Sequence, residues 1–127
     1  MQEFHVALTE SELIRVVHSC DVLLAPLRSG APIGIDAAMA LAAGVPVVAA
    51  QVEVHTRFDP KLDFALFAPE DNAVEVGEKL IDVLTDDALR ERLRARGAEV
   101  AGQFRPDRAA AAAEPLFAAC AARLPVR

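Results

Sequence analysis

The sequence predicts an α/β protein built on a parallel sheet of about four strands with helices on its flanks. Two observations carry that prediction. The runs "DVLLAPL" (21–27) and "VPVVAA" (45–50) are continuously apolar, as strands covered on both faces are. The segments around them begin and end with helix-capping residues, so strands alternate with helices along the chain.

The elements follow in order. "EFHVAL" (3–8) is a short apolar stretch that suits a buried strand. Thr9 and Glu12 form an S/T-x-x-E capping box, in which each side chain reaches the other residue's amide, so a helix starts there. Leu13, Val16 and Val17 give that helix an inner face, with Glu12, Arg15 and His18 turned elsewhere. After "DVLLAPL" comes a glycine-containing loop, then small apolar residues from Ile35 to Ala43 that read as a tightly packed helix. Gly44 supplies its left-handed stop before "VPVVAA". "QVEVHTRFDPKLD" (51–63) reads as an irregular connection and "FALFAP" (64–69) as a last strand. Asn72 opens a further helix with Val76, Leu80, Ile81 and Leu84 inward. Thr85 is placed to cap the next, which turns Leu89, Leu93 and Val100 inward. The alanine-rich tail is helical by propensity, with Pro115 as a kink.

Composition narrows the function classes. At 127 residues the chain reads as one domain, 1–127, too short for a complete two-half nucleotide-binding unit. A net charge of −6 without a basic run argues against a nucleic-acid or anionic-membrane partner. No stretch has the roughly 18 uninterrupted apolar residues of a membrane span, and the N-terminus is no basic-then-apolar signal, so the expected location is the cytoplasm. Cys20 and Cys120 stand far apart, without zinc-ligand spacing or a histidine cluster, and are expected as reduced thiols. His5, His18 and His55 are scattered and suggest no metal site. Neither a cofactor nor a metal is expected.

Several motifs point one way when taken together. "GVPVVA" (44–49) is preceded by a small-residue helix and by a strand of the form D-apolar-apolar-apolar-x-P. Downstream, "DDALRERLRARGAEVAGQF" contains D-x-x-x-R-x-x-x-x-x-x-G, here Asp86, Arg90 and Gly97, followed by Phe104. In order and spacing, over nearly the whole chain, these resemble the second half of the C-terminal domain of retaining GT-B glycosyltransferases, the group 1, family 4-like enzymes. The resemblance implies a Rossmann-like fold, half of the domain that binds a nucleotide-diphosphate sugar donor.

It also implies a site. The loop after "DVLLAPL" would meet the donor diphosphate through backbone amides and a helix N-terminus, which favour an anion without lysines. The matching residues are Arg28, Gly30, Ala31, Ile33, Gly34, Ile35 and Asp36. Two glutamates of the family, which accept hydrogen bonds from sugar and ribose hydroxyls, have no counterpart. Counting back from Gly44, their positions carry Ala31 and Met39; in the alternative frame they carry Ser29 and Ala37. Asp36 is the only acid between Asp21 and Glu53, and so is the candidate substitute at the ribose. Each candidate has a plainer role open to it. Asp36 can be a first-turn acid that complements the helix dipole, Arg28 a solvated loop arginine, and Gly30 and Gly34 turn residues.

The diphosphate clamp and the catalytic and acceptor residues of such enzymes lie in parts this sequence does not contain, and transfer needs both walls of a cleft. The chain is therefore expected to be inactive alone, as a fragment or short relative of the enzyme. The alternative is a non-catalytic α/β binding or scaffold module that keeps the fold without the sugar site. A flavodoxin-like or receiver domain fits less well, since Asp21 begins its strand and Trp and Tyr are absent. Two further expectations follow from the missing half. "EFHVAL" should pair with "DVLLAPL", and the uncovered apolar surface should draw the chain into a homodimer.

Overall fold

The structure, a computed structural model, describes residues 7–30, 34–57 and 59–122. Its elements are α1 (Glu10–His18), β1 (Leu23–Ala25), α2 (Ile35–Ala42), β2 (Val47–Ala50), α3 (Glu53–Thr56), β3 (Leu66–Ala68), α4 (Ala73–Thr85), α5 (Asp87–Ala101) and α6 (Pro106–Ala121), with a 3₁₀ turn at Gly102–Phe104. The three strands run parallel in the order β1-β2-β3, with Leu24 beside Val48 and Ala49 beside Phe67. The α/β class and the Rossmann-like parallel sheet expected from sequence are what the structure has, with three strands rather than four among the described residues. Residues 3–6 of "EFHVAL" lie outside the described residues, and Ala7 and Leu8 are not strand, so its pairing with β1 falls outside them too.

Central strand β2 is buried at all four positions because both its faces are covered. Val47 and Ala49 join Ala37, Ala40, Leu41, Phe64 and Val100 on one face, while Val48 meets Val83 and Leu93 on the other. Alternation along a strand sends neighbours to opposite sides. Helix α5 contributes to both clusters, Val100 to the first and Leu93 to the second, and so clasps the layers together. β1 departs from the reading of a fully covered strand: Leu24 is 41% exposed, because its side chain borders a cleft rather than a helix.

The helix starts follow from local chemistry. Thr9 and Glu12 form the expected capping box: the Thr9 amide donates to Glu12 Oε2 at 2.8 Å, and the Glu12 amide to Thr9 Oγ1. The Asn72 side chain accepts from the Glu75 amide at 3.1 Å and opens α4. Gly44, at φ +71, stops α2 as expected.

Three readings are corrected. Asp86, not Thr85, caps α5: its carboxylate accepts from the Leu89 amide at 2.9 Å, while the Thr85 hydroxyl donates back to the Ile81 carbonyl within α4. On α4 it is Val83 that is buried; Ile81 and Leu84 are exposed, because the helix is phased by the neighbours it has rather than by its own apolar stripe. The connection 51–63 is not wholly irregular, since it includes α3. Pro115 lies inside an unbroken α6.

The D-x-x-x-R-x-x-x-x-x-x-G motif has a structural account. Asp86 caps α5, and Arg90 donates to the terminal α4 carbonyls of Val83 and Leu84 at 3.0 and 2.8 Å while pairing with Asp87. At Gly97 a Cβ would stand 2.8 Å from Leu41 Cδ2, so a larger residue there would have to displace the buried Leu41 side chain where α5 meets α2. The motif therefore seals the α4–α5 corner and sets α5 against α2.

Candidate functional site

A cleft of about 420 Å³ opens at the carboxyl ends of the three strands. That is where open parallel sheets hold their ligands, since the connecting loops part there. Leu24, Pro26, Leu27 and Arg28 line one side, Pro69 to Ala73 and Val76 the other, and Ala50 at the end of β2 lies between. The lining is mostly apolar, with its polar groups on the loop after β1 and on the turn between β3 and α4.

The residues singled out from sequence divide into two groups. Arg28 lines the cleft, where its Nη2 meets Asp71 Oδ1 at 2.9 Å. Gly30 follows at φ +83, a left-handed conformation that permits the loop to turn. Ala31 and Ile33 lie outside the described residues. Gly34 is buried and caps α2 without a side chain; a Cβ there would stand 2.9 Å from Asp36 Oδ1 and 3.0 Å from Leu27 Cδ1. Ile35 is not part of the cleft. It is 71% exposed and borders a separate apolar groove with Leu13, Ile14 and Val17 of α1. Asp36 is exposed in the first turn of α2, where a carboxylate complements the helix dipole, and it lies within electrostatic reach of His55.

Other residues of this region carried no recognised sequence signal. The Ser29 amide donates to Glu70 Oε1 at 3.1 Å, and the Ser29 hydroxyl donates to the same oxygen. These bonds, the hydroxyl's first and the amide's second, hold the Glu70 carboxyl below the usual glutamate range. The available signal was the acidic pair Glu70-Asp71 directly after a parallel strand, facing the crevice such strands create.

His55 is buried at the other side of the β2 terminus. Its Nδ1 lies 2.9 Å from the Ala50 carbonyl and its ring packs 5.4 Å from that of Phe67. A carbonyl can only accept, so Nδ1 carries the proton. Burial pushes the imidazole pKa down, partly opposed by the Ala50 carbonyl and by Asp36. His55 thus fixes the carbonyl of a residue that lines the cleft.

Among the described residues no group of three or more His, Cys, Asp or Glu side chains is placed to hold a metal ion, and no helix is long and apolar enough to cross a membrane. The site offers amide, hydroxyl and guanidinium donors on one lip, carboxylates and a capped helix start on the other, and an apolar floor. It can receive a ligand with an anionic end and a flat or apolar end.

Comparison with known proteins identifies a family. Residues 1–100 match the family described as Glycosyl transferases group 1. The phosphatidyl-myo-inositol mannosyltransferase of Mycobacterium leprae (strain TN) is 33% identical over 88 residues, which cover 69% of this chain and 24% of that protein. The protein of the same name from Mycolicibacterium smegmatis is 36% identical over 83 residues, covering 65% and 22%. The chain thus spans about a quarter of the length of these relatives.

Proposed function

The chain belongs to the glycosyl transferases group 1 family, and from that premise we propose that it forms the donor-binding wall of a sugar transferase, half of the C-terminal domain of a GT-B enzyme. A nucleotide-diphosphate sugar lies in the cleft at the strand ends, with its phosphates toward Arg28, Ser29 and Gly30. The observation that carries this reading is the cleft itself, which opens at the carboxyl ends of β1, β2 and β3 beneath the one loop that bears both Arg28 and a left-handed glycine. The relatives' names make mannose the leading sugar. Transfer requires an opposing wall to hold the acceptor, so this chain alone binds a donor weakly and does not turn it over.

A second reading is favoured by one specific observation. The positions expected to carry the two hydroxyl-binding glutamates carry Ala31 and Met39, or Ser29 and Ala37. A module that keeps the fold and has lost sugar recognition accounts for that equally well.

Titration of the ¹⁵N-labelled chain with UDP and GDP, followed by NMR, separates the two. The donor wall gives millimolar binding with shifts at Ser29, Gly30, Gly34 and Asp71 to Ala73. A scaffold gives none there. Micromolar affinity in this chain would contradict the need for a second wall.

The same reading includes a homodimer, since Leu116 and Phe117 on α6 and Ile35 on α2 stand largely outside. Sedimentation equilibrium at tens of micromolar tests it, and a single 13.5 kDa species overturns it. A cytoplasmic setting is in keeping with Cys20 and Cys120, both free thiols.

A further inference from the structure

The loop after β1 presents two side chains able to hold an anion, Arg28 and Ser29, and both already have anionic partners. The Ser29 amide and hydroxyl converge on a single carboxylate oxygen, Glu70 Oε1. Arg28 Nη2 reaches Asp71 Oδ1 at 2.9 Å. Two donors converging on one oxygen, with a guanidinium beside them, is the arrangement by which loops hold phosphate oxygens. Carboxylate and phosphate are interchangeable partners for such donors, because both present acceptor oxygens to a fixed fork. The carboxylates come from adjacent residues of the β3–α4 turn, so one short segment supplies both anions.

We infer that Glu70 and Asp71 compete with the diphosphate for Ser29 and Arg28: carboxylate and phosphate are alternative partners of the same donors, and the β3–α4 turn is a built-in rival of the ligand. This rests on the donor-site reading above and adds a regulatory element to it. The contacts suit a rival that can be displaced. Arg28 and Asp71 are 77% and 68% exposed, so water competes for their ion pair and it is weak. The Asn72 cap holds the start of α4 independently of these contacts, so the carboxylates can leave without unwinding the helix. The opposite assignment, in which Glu70 and Asp71 accept hydrogen bonds from the ligand's hydroxyls, requires their removal to weaken binding of a hydroxyl-bearing ligand and gives no gain with a bare diphosphate. The two assignments therefore predict different responses.

The test is an NMR titration of the full chain with inorganic pyrophosphate, comparing wild type with E70Q, D71N, R28A and the double variant R28A/D71N. Pyrophosphate has no hydroxyls of a sugar, so it reads the phosphate donors alone. The expected result is that E70Q and D71N each bind about two- to five-fold tighter, the range of an exposed charge pair. The D71N gain should vanish in the R28A background, because Asp71 then has no guanidinium to contest. Equal or weaker binding by E70Q and D71N overturns the inference. So does a D71N gain that persists without Arg28, which reflects only the reduced negative charge of the cleft. If pyrophosphate shifts the cleft amides of the wild type but the variants bind no tighter, the donor site stands and only the competition falls. If it shifts no cleft amide in any variant, the donor site and the competition fall together.

Discussion

Helices α5 and α6 are nearly equal in length, 15 and 16 residues, yet they stand in the molecule differently. α5 buries Leu93, Gly97 and Val100 and is anchored by polar contacts along its length. Asp86 caps it, Arg90 ties it to α4, and Arg96 binds Asp59 and Asp63 on the connection before β3. α6 buries nothing, and its Leu116 and Phe117 are 69% and 74% exposed. α6 has strong helix formers in its run Ala109–Ala113, and it continues through Pro115. Propensity makes a helix. Docking requires apolar side chains on one face and a place where the backbone can come close, which α5 has at Gly97 and α6 lacks among the described contacts.

The largest expected break in this contrast is Leu93→Ala. Leu93 is 2% exposed, and truncation of a buried leucine costs about 2–5 kcal/mol, which urea unfolding would show as a lower midpoint with an unchanged slope. A loss below the bottom of that range would mean that α5 does not clasp the sheet. Gly97→Val comes next, at about 1–3 kcal/mol, because its Cβ meets a Leu41 side chain that is itself buried. Unaltered thermal stability in that variant would remove close approach as the reason for the glycine. Asp86→Ala should cost about 1 kcal/mol through loss of the cap, and Asp86→Asn, which keeps an acceptor, should recover most of it.

The pH response sharpens the comparison between buried and exposed groups. His55 has its folded pKa lowered by burial. Below about pH 6.5 the unfolded chain takes up a proton that the folded chain does not, so stability falls as pH drops from there toward the folded value. His55→Gln should flatten that slope, and a slope unchanged by the substitution would show that His55 does not set it. Glu70 also has a lowered folded pKa, but for an acid the stabilising contact is present above the ordinary glutamate value and is lost only as pH falls through the folded one. The Ser29 amide resonance should therefore hold still through the histidine range and move only under acid conditions. The smallest effect is Phe117→Ala, within about 0.5 kcal/mol when measured at a protein concentration low enough to keep the chain monomeric. A larger loss would show that α6 is docked after all.

Local chemistry was legible without the fold. Thr9 with Glu12, Asn72 with Glu75 and the stop at Gly44 each act within one helical turn, so neighbouring residues suffice to specify them. The buried run Val47–Ala50 was equally plain, as was the family motif through Asp86, Arg90 and Gly97. Reading failed where two local options stood side by side. Thr85 and Asp86 can each cap a helix, and the choice depends on α4 continuing through Thr85. It failed again at Ile81 and Leu84, whose apolar character says nothing about whether a neighbour covers them.

The candidate site was legible by half. The loop from Arg28 to Asp36 announces itself through its glycines and its place between a strand and a helix. Its partners do not. Ser29 meets Glu70 across 41 positions and Arg28 meets Asp71 across 43, and His55 finds its buried place only once β2 and β3 lie side by side. What the sequence determined by itself was the set of elements and their caps, because those energies act over three or four residues. Only the tertiary structure decided which lips face each other across the cleft. That pairing depends on the sheet order β1-β2-β3, which brings the ends of the first and third strands to either side of the second.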